Sequence, residues 1–166
     1  MKKIVLFISL CIGFISTVSA QVDYCKEIKK KTDEMTGHVE YISPSLSVTD
    51  NITISKSKTS ENDTFSIIDI TVQTTQNTAD YEADGSIYIK FEDGTVQHFT
   101  GKVSCSYLNT QYPYLFIGGS ILHASTIIPF KTKKIVKFQI AGKDVNVPDG
   151  FATKFMAWVN CIADMK

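Results

Sequence analysis

The 166-residue chain contains no arginine. Phosphate recognition leans on clustered positive charge and on the bidentate fork of a guanidinium, so this absence argues against a nucleic-acid partner. Other absences narrow the chemistry. There is no Gly-x-Ser-x-Gly elbow, no His-Glu-x-x-His helix and no acidic calcium loop. The three histidines, His38, His98 and His123, fall on different predicted strands with no metal-ligand spacing, so neither a metal nor a cofactor is expected. No internal repeat or low-complexity tract interrupts the chain.

At the N-terminus, Lys2 and Lys3 precede an apolar run from Ile4 to Ile15, and Val18 and Ala20 occupy small-residue positions before a cut. This predicts a secretory signal peptide over 1–20 and one β-rich domain over 21–166. The apolar core of the run is short for a bilayer span, and Leu10 before Cys11 does not suit lipid-attachment cleavage. No membrane span is expected after cleavage. Losing two of 17 lysines leaves 15 against 17 acids, a net charge of minus two. Lysines 29–31 and 131, 133, 134 and 137 read as solvated loops or strand edges.

Cleavage leaves Cys25, Cys105 and Cys161 in a compartment that permits disulfides. Cys25 and Cys161 lie near opposite ends of the mature chain, and domain termini often sit close together, so they are the favoured pair. Closing so long a loop stabilises by up to about 4–5 kcal/mol in the chain-entropy account. Cys105 is then a buried spare thiol or, alternatively, the partner in a different bridge.

Along the chain, Asp23 to Met35 suggests a short helix capped by Asp23, with only Tyr24, Ile28 and Met35 as its apolar stripe. His38–Ser43 predicts a strand, and Leu46, Val48, Ile52 and Ile54 alternate as a half-buried one, with Asp50 at a bulge or strand end. Phe65–Thr74 reads as a central strand apolar on both faces, with Asp69 the lone acid in its middle. Ser86–Cys105 gives the clearest local signal. Ile87, Ile89 and Phe91 alternate with Tyr88 and Lys90 before Asp93-Gly94, which predicts a two-residue hairpin loop with positive φ at both positions. That register opposes Phe91 to Val96, Ile89 to His98 and Tyr88 to Phe99, in a hairpin covered on both faces. Leu115, Ile117 and Ile121 form a further strand whose Gly118-Gly119 marks a bulge or a close backbone approach. After Pro129, strands at Ile135–Ala141 and Val145–Val147 lead to a helix opened by Pro148, Asp149 and Gly150, where Phe151, Phe155, Val159 and Ile162 recur at helical spacing. The fold class is therefore mainly β: an antiparallel sheet or sandwich of about seven or eight strands with one C-terminal amphipathic helix.

Tyr107, Tyr112 and Tyr114 lie among Asn, Gln and Pro between two strands. Rigid rings in a loop can stack on a sugar or anchor a protein, and these three are the candidate ligand-binding residues. Covering the end of the core is the plainer role for them. The acids Asp80, Glu82, Asp84, Glu92 and Asp93 cluster in predicted turns, and no catalytic residue is assigned.

Cys25 with Thr32-Asp33-Glu34-Met35-Thr36-Gly37, the Phe91-Glu92-Asp93-Gly94 turn and the final Asn160-Cys161-Ile162 occur in an order that resembles small secreted proteins of Bacteroides-type bacteria without assigned function. The resemblance implies a bacterial envelope or secreted protein, and in that setting the sequons at Asn51 and Asn62 are accidental. The reading that follows is a secreted or periplasmic noncatalytic binding module with a protein or carbohydrate partner. A small secreted hydrolase using carboxylates or a histidine, with Asp69 near His98 or His123, is the alternative, and an enzyme inhibitor a third.

Overall fold

The computed structural model describes residues 23–47, 50–58, 64–74, 86–100, 102–107 and 114–165. The predicted signal peptide and Tyr112 lie outside them. A 3-10 turn at Tyr24–Glu27 leads into β1 (Lys29–Thr32), β2 (Val39–Ile42), β3 (Asp50–Lys58), β4 (Thr64–Thr74), β5 (Ser86–Phe91), β6 (Val96–Thr100), β7 (Lys102–Tyr107) and β8 (Tyr114–Leu122). Helix α1 (Ile128–Thr132), β9 (Ile135–Ile140), β10 (Lys143–Asn146) and α2 (Asp149–Asp164) complete the described elements. The strands form two antiparallel sheets, ordered β1-β2-β3-β4-β8-β7 and β10-β9-β5-β6. Among the described residues ten strands, rather than about seven or eight, make this mainly β sandwich with its C-terminal helix.

Period-two alternation builds the core. Ile52 and Ile54 on β3, Ile68, Ile70 and Val72 on β4 and Phe116 on β8 point inward from the six-stranded sheet, all fully buried. Ile87, Ile89 and Phe91 on β5 and Phe138 and Ile140 on β9 meet them from the four-stranded sheet. The sheets come close at Gly118, where a methyl would lie 2.7 Å from Ile140 Cδ1 and 3.1 Å from Ile87 Cδ1. Gly118-Gly119 is thus a close approach and not a bulge, since β4 pairs with β8 without a register break.

Helix α2 packs against β3 and β9 through Ala152, Phe155, Trp158, Val159 and Ile162, all buried. Truncating a ring such as Phe155 to Ala should cost about 3–5 kcal/mol. The helix is fixed at its C-terminal end by the Cys25–Cys161 disulfide, with a Cα–Cα distance of 5.5 Å across 136 residues. Lys56 on β3 adds a cap, donating from Nζ to the carbonyls of Ala163 (3.0 Å) and Met165 (2.5 Å), where the helix leaves oxygens unpaired. At the far end of the sandwich Lys143 on β10 pairs with Asp50 on β3 at 3.0 Å, tying one sheet to the other. Asp50 is the first residue of its strand, the strand end anticipated above.

Two local expectations give way. The helix over Asp23–Met35 is a single 3-10 turn followed by β1, because Tyr24, Ile28 and Met35 are too thin a stripe to hold it: Met35 is 95% exposed. Asp23 does cap the turn, accepting from the Cys25 N–H. The next three lysines find backbone partners along β2 instead, as an exposed edge strand.

The Asp93-Gly94 hairpin exists, in a different register. Gly94 N–H donates to the Phe91 carbonyl and Phe91 N–H to the Thr95 carbonyl, and only Gly94 takes positive φ (82°). This is a three-residue loop, a turn followed by a left-handed glycine, held by Asp93 Oδ1 accepting from Thr95 N–H and Oγ–H. The extra residue shifts the pairing by one, so Tyr88 opposes His98 and Ile87 opposes Phe99. One face of the hairpin is buried, and the other carries Tyr88 and His98. A two-residue loop with both residues left-handed does occur, at Ala141 (φ 50°) and Gly142 (φ 69°) between β9 and β10.

Candidate interaction face

On β8 the side chains of Phe116 and Leu122 turn into the core, so Leu115, Ile117, Gly119 and Ile121 lie on the outer face of the six-stranded sheet. Ile117 is 41% exposed and Ile121 51%. Ile67 and Thr71 on neighbouring β4 are half-buried beside them. Between these apolar groups sits Asp69, in a lateral row that runs Thr53, Asp69, Gly119, Lys102 across β3, β4, β8 and β7.

Gly119 makes that seat. A Cβ there would stand 2.6 Å from Asp69 Oδ1 and 3.3 Å from the Ile68 carbonyl, so a larger residue would displace the carboxylate. Asp69 has no hydrogen-bond or ion-pair partner among the described residues. Burial pushes its carboxyl above the ordinary carboxylate range, and Glu40 on β2 adds like-charge repulsion. An acid held beside apolar side chains with no cation against it among the described residues is electrostatically incomplete, and the isoleucines beside it are incompletely covered.

The residues singled out from sequence divide differently. Tyr107 and Tyr114 are register partners that close the β7–β8 ladder. Tyr112 lies outside the described residues, so the aromatic loop has no described geometry beyond that backbone pair. Cys105 on β7 is unbridged and half-buried. Asp69 and His98 stand on the outer faces of opposite sheets and share no pocket: His98 is exposed, stacked on Tyr88 at 4.5 Å and 8° and within 3.0 Å of Ser86 Oγ. His123, just beyond β8, is four residues along the strand from Gly119, about 13 Å. Among the described residues no cluster of His, Cys, Asp or Glu is placed to hold a metal ion. No helix among them is long and apolar enough to cross a membrane.

The second lysine group is used locally. Lys133 pairs with Asp93 at 2.6 Å, Lys134 with Asp149 at 2.8 Å and Lys137 with Asp144 at 2.7 Å. The hydrogen bond from Lys133 holds the Asp93 carboxyl down to about 2. No protein-family model, curated protein or solved structure matches the chain.

Sequence reading placed Ile117 and Ile121 on a strand and weighed Asp69 only as a hydrolase carboxylate beside His98 or His123; it missed that all three share one outward face. The available signal was that β8 is apolar in both phases, Leu115, Ile117 and Ile121 in one and Phe116 and Leu122 in the other. A strand with solvent on one side needs only one apolar phase.

Proposed function

We propose that the chain is a secreted or periplasmic noncatalytic interaction module that binds a protein partner through the outer face of β4 and β8. One observation carries this reading: Ile117 and Ile121 are exposed astride a carboxylate that no described residue pairs. Its extracytoplasmic location is supported by the charged and apolar N-terminal segment, by the Cys25–Cys161 bridge and by the resemblance to secreted Bacteroides-type proteins.

The test is a photo-crosslinking side chain placed at Ile121 and, separately, at Gln139 on the outer face of the other sheet, in the producing cell. Adducts at 121 and none at 139 support the assignment. Equal labelling, or none at 121, overturns it.

A further inference from the structure

We propose that residues 23–28 form a thiol-gated strap over Trp158, closed by the Cys25–Cys161 disulfide and opened when a dithiol reductant cleaves it. The device concerns α2 and not the outer face of β4 and β8, so its failure would leave the interaction face untouched.

On a helix, residue 158 has 154 and 155 as neighbours one turn before it and 161 and 162 one turn after. Phe155 and Ile162 belong to the core, whereas Lys154 and Cys161 meet the N-terminal 3-10 turn. Cys25 is bonded to Cys161, Glu27 Oε1 stands 3.6 Å from Lys154 Nζ, and that same ammonium lies 5.8 Å from the centre of the Tyr24 ring. The turn therefore spans the two residues that bracket Trp158 on the side away from the core, and it completes the cover of a side chain only 2% exposed. That cover leaves the indole Nε1–H buried with no hydrogen-bond partner among the described residues. A buried donor left unpaired favours any opening that admits water.

Helix and strap are held by different means. Without the bridge, α2 is still anchored by Phe155, Val159 and Ile162 in the core, by Lys56 at its last carbonyls and by Asn160 Nδ2 donating to the Lys131 carbonyl at 2.9 Å. The 3-10 turn buries no residue fully, and both partners of its ion pair to Lys154 are more than a third exposed. Only Tyr24 and Ile28 rest against the core. Strand β1 stays paired to β2 through a local turn, in which Asp33 Oδ1 accepts from the Met35 and Thr36 N–H groups, so the loosened segment ends at Ile28.

Cys25 is exposed, and a reductant thiolate attacks its sulfur. The Cys25–Cys161 bond breaks as a mixed disulfide forms at Cys25, and the electron pair passes to the Cys161 sulfur, which takes a proton. The reductant's second thiolate then displaces the Cys25 sulfur, which is protonated in turn. Two electrons and two protons enter the protein, and the reductant leaves as its own disulfide.

Trp158 is the only tryptophan of the chain, so its fluorescence reads the strap directly. In protein purified from producing cells, dithiothreitol should shift the emission to longer wavelength and raise acrylamide quenching severalfold while the far-UV spectrum is retained. Alkylation and mass spectrometry verify that Cys25 and Cys161 have become thiols. Reoxidation should restore both optical signals. In the oxidised protein Tyr24→Ala should raise quenching with the bridge intact, and Cys105→Ser should respond to dithiothreitol as wild type does. Unchanged quenching after verified reduction overturns the proposal. Loss of the far-UV spectrum on reduction overturns it as well, because the bridge would then hold the whole fold and not a strap.

Discussion

The two outer sheet faces are built from the same alternation and finish differently. On the four-stranded sheet, Lys137 and Gln139 both donate to Asp144 at 2.7 Å, and Tyr88 stacks on His98, which reaches Ser86. These outward groups pair with one another, and the exposed apolar residue among them, Val96 on β6, stands alone opposite Lys90. On the six-stranded sheet the corresponding positions of β4 and β8 are Ile67, Asp69, Ile117 and Ile121, with an acid that no described residue neutralises. The acids state the contrast in opposite directions. Hydrogen bonds from Lys137 and Gln139 pull the Asp144 carboxyl below its ordinary value, whereas desolvation pushes Asp69 above it. One face is complete in water. The other is stable enough to fold and is improved by something covering it.

Substitutions at the adjoining glycines of β8 probe the two sides of that sheet and should give the largest effect among changes that test the contrast between the faces. Gly118→Ala directs a methyl into the sandwich against Ile140, Ile87 and Val103, and should destabilise by about 1–3 kcal/mol in chemical denaturation. Gly119→Ala, one residue on, meets the Asp69 carboxylate, which can swing toward solvent, and should cost about 1 kcal/mol or less. Equal losses would mean that Asp69 is held as firmly as the core, and the contrast between a packed inside and an open outside would fail at this point.

Asp69→Asn comes next, with the opposite sign. A carboxyl whose folded value is raised binds its proton more readily in the native state, so its contribution is favourable at low pH and is lost as pH rises through that folded value. At neutral pH the ionised group is a cost that Asn does not carry. At dilution the variant should therefore melt modestly higher than wild type at pH 7, and the gap should close as pH falls toward 4. A variant less stable than wild type at pH 7 would show that the carboxylate is already paired.

Much of this architecture was legible because it rests on local alternation. Ile68, Ile70 and Val72 announce the buried face of β4, and Phe155, Val159 and Ile162 that of α2, since period two and period 3.6 are imposed by backbone geometry. Pro148 and Gly150 mark the helix start for equally local reasons. The errors arose where competing local solutions differ by one residue or one partner. Asp93-Gly94 suits a two-residue loop and a three-residue loop, and the difference rotates Tyr88 from Phe99 to His98. The lysines of β1 carry no apolar phase and become a strand only because β2 offers its edge. The β4–β8 face was hidden for a third reason: a row through Thr53, Asp69, Gly119 and Lys102 joins two consecutive strand pairs, β3–β4 and β7–β8, that are distant from each other in sequence, and the order in which they pair is a tertiary fact. The same holds for Lys56, which caps a helix more than a hundred residues away.

The smallest effect is expected on the finished face, and its smallness carries information. Lys137→Ala removes the cation from Asp144 while leaving the Gln139 hydrogen bond, and both charged side chains are more than a third exposed. Solvent screens such pairs, so the loss should be under about 0.5 kcal/mol in thermal or chemical melts. Its pH dependence runs against that of Asp69. Asp144 has a depressed folded value, so the stability it contributes is present above its unfolded value near 3.8 and is lost as pH falls through the folded one. The difference between Lys137→Ala and wild type should accordingly persist at neutral pH and fade in acid, where the Asp69→Asn difference also fades but with opposite sign. High salt should shrink the Lys137→Ala difference further, because both partners are open to counter-ions. A large, salt-insensitive loss on Lys137→Ala would instead mean that this face is covered too, and the asymmetry that singles out β4 and β8 would disappear.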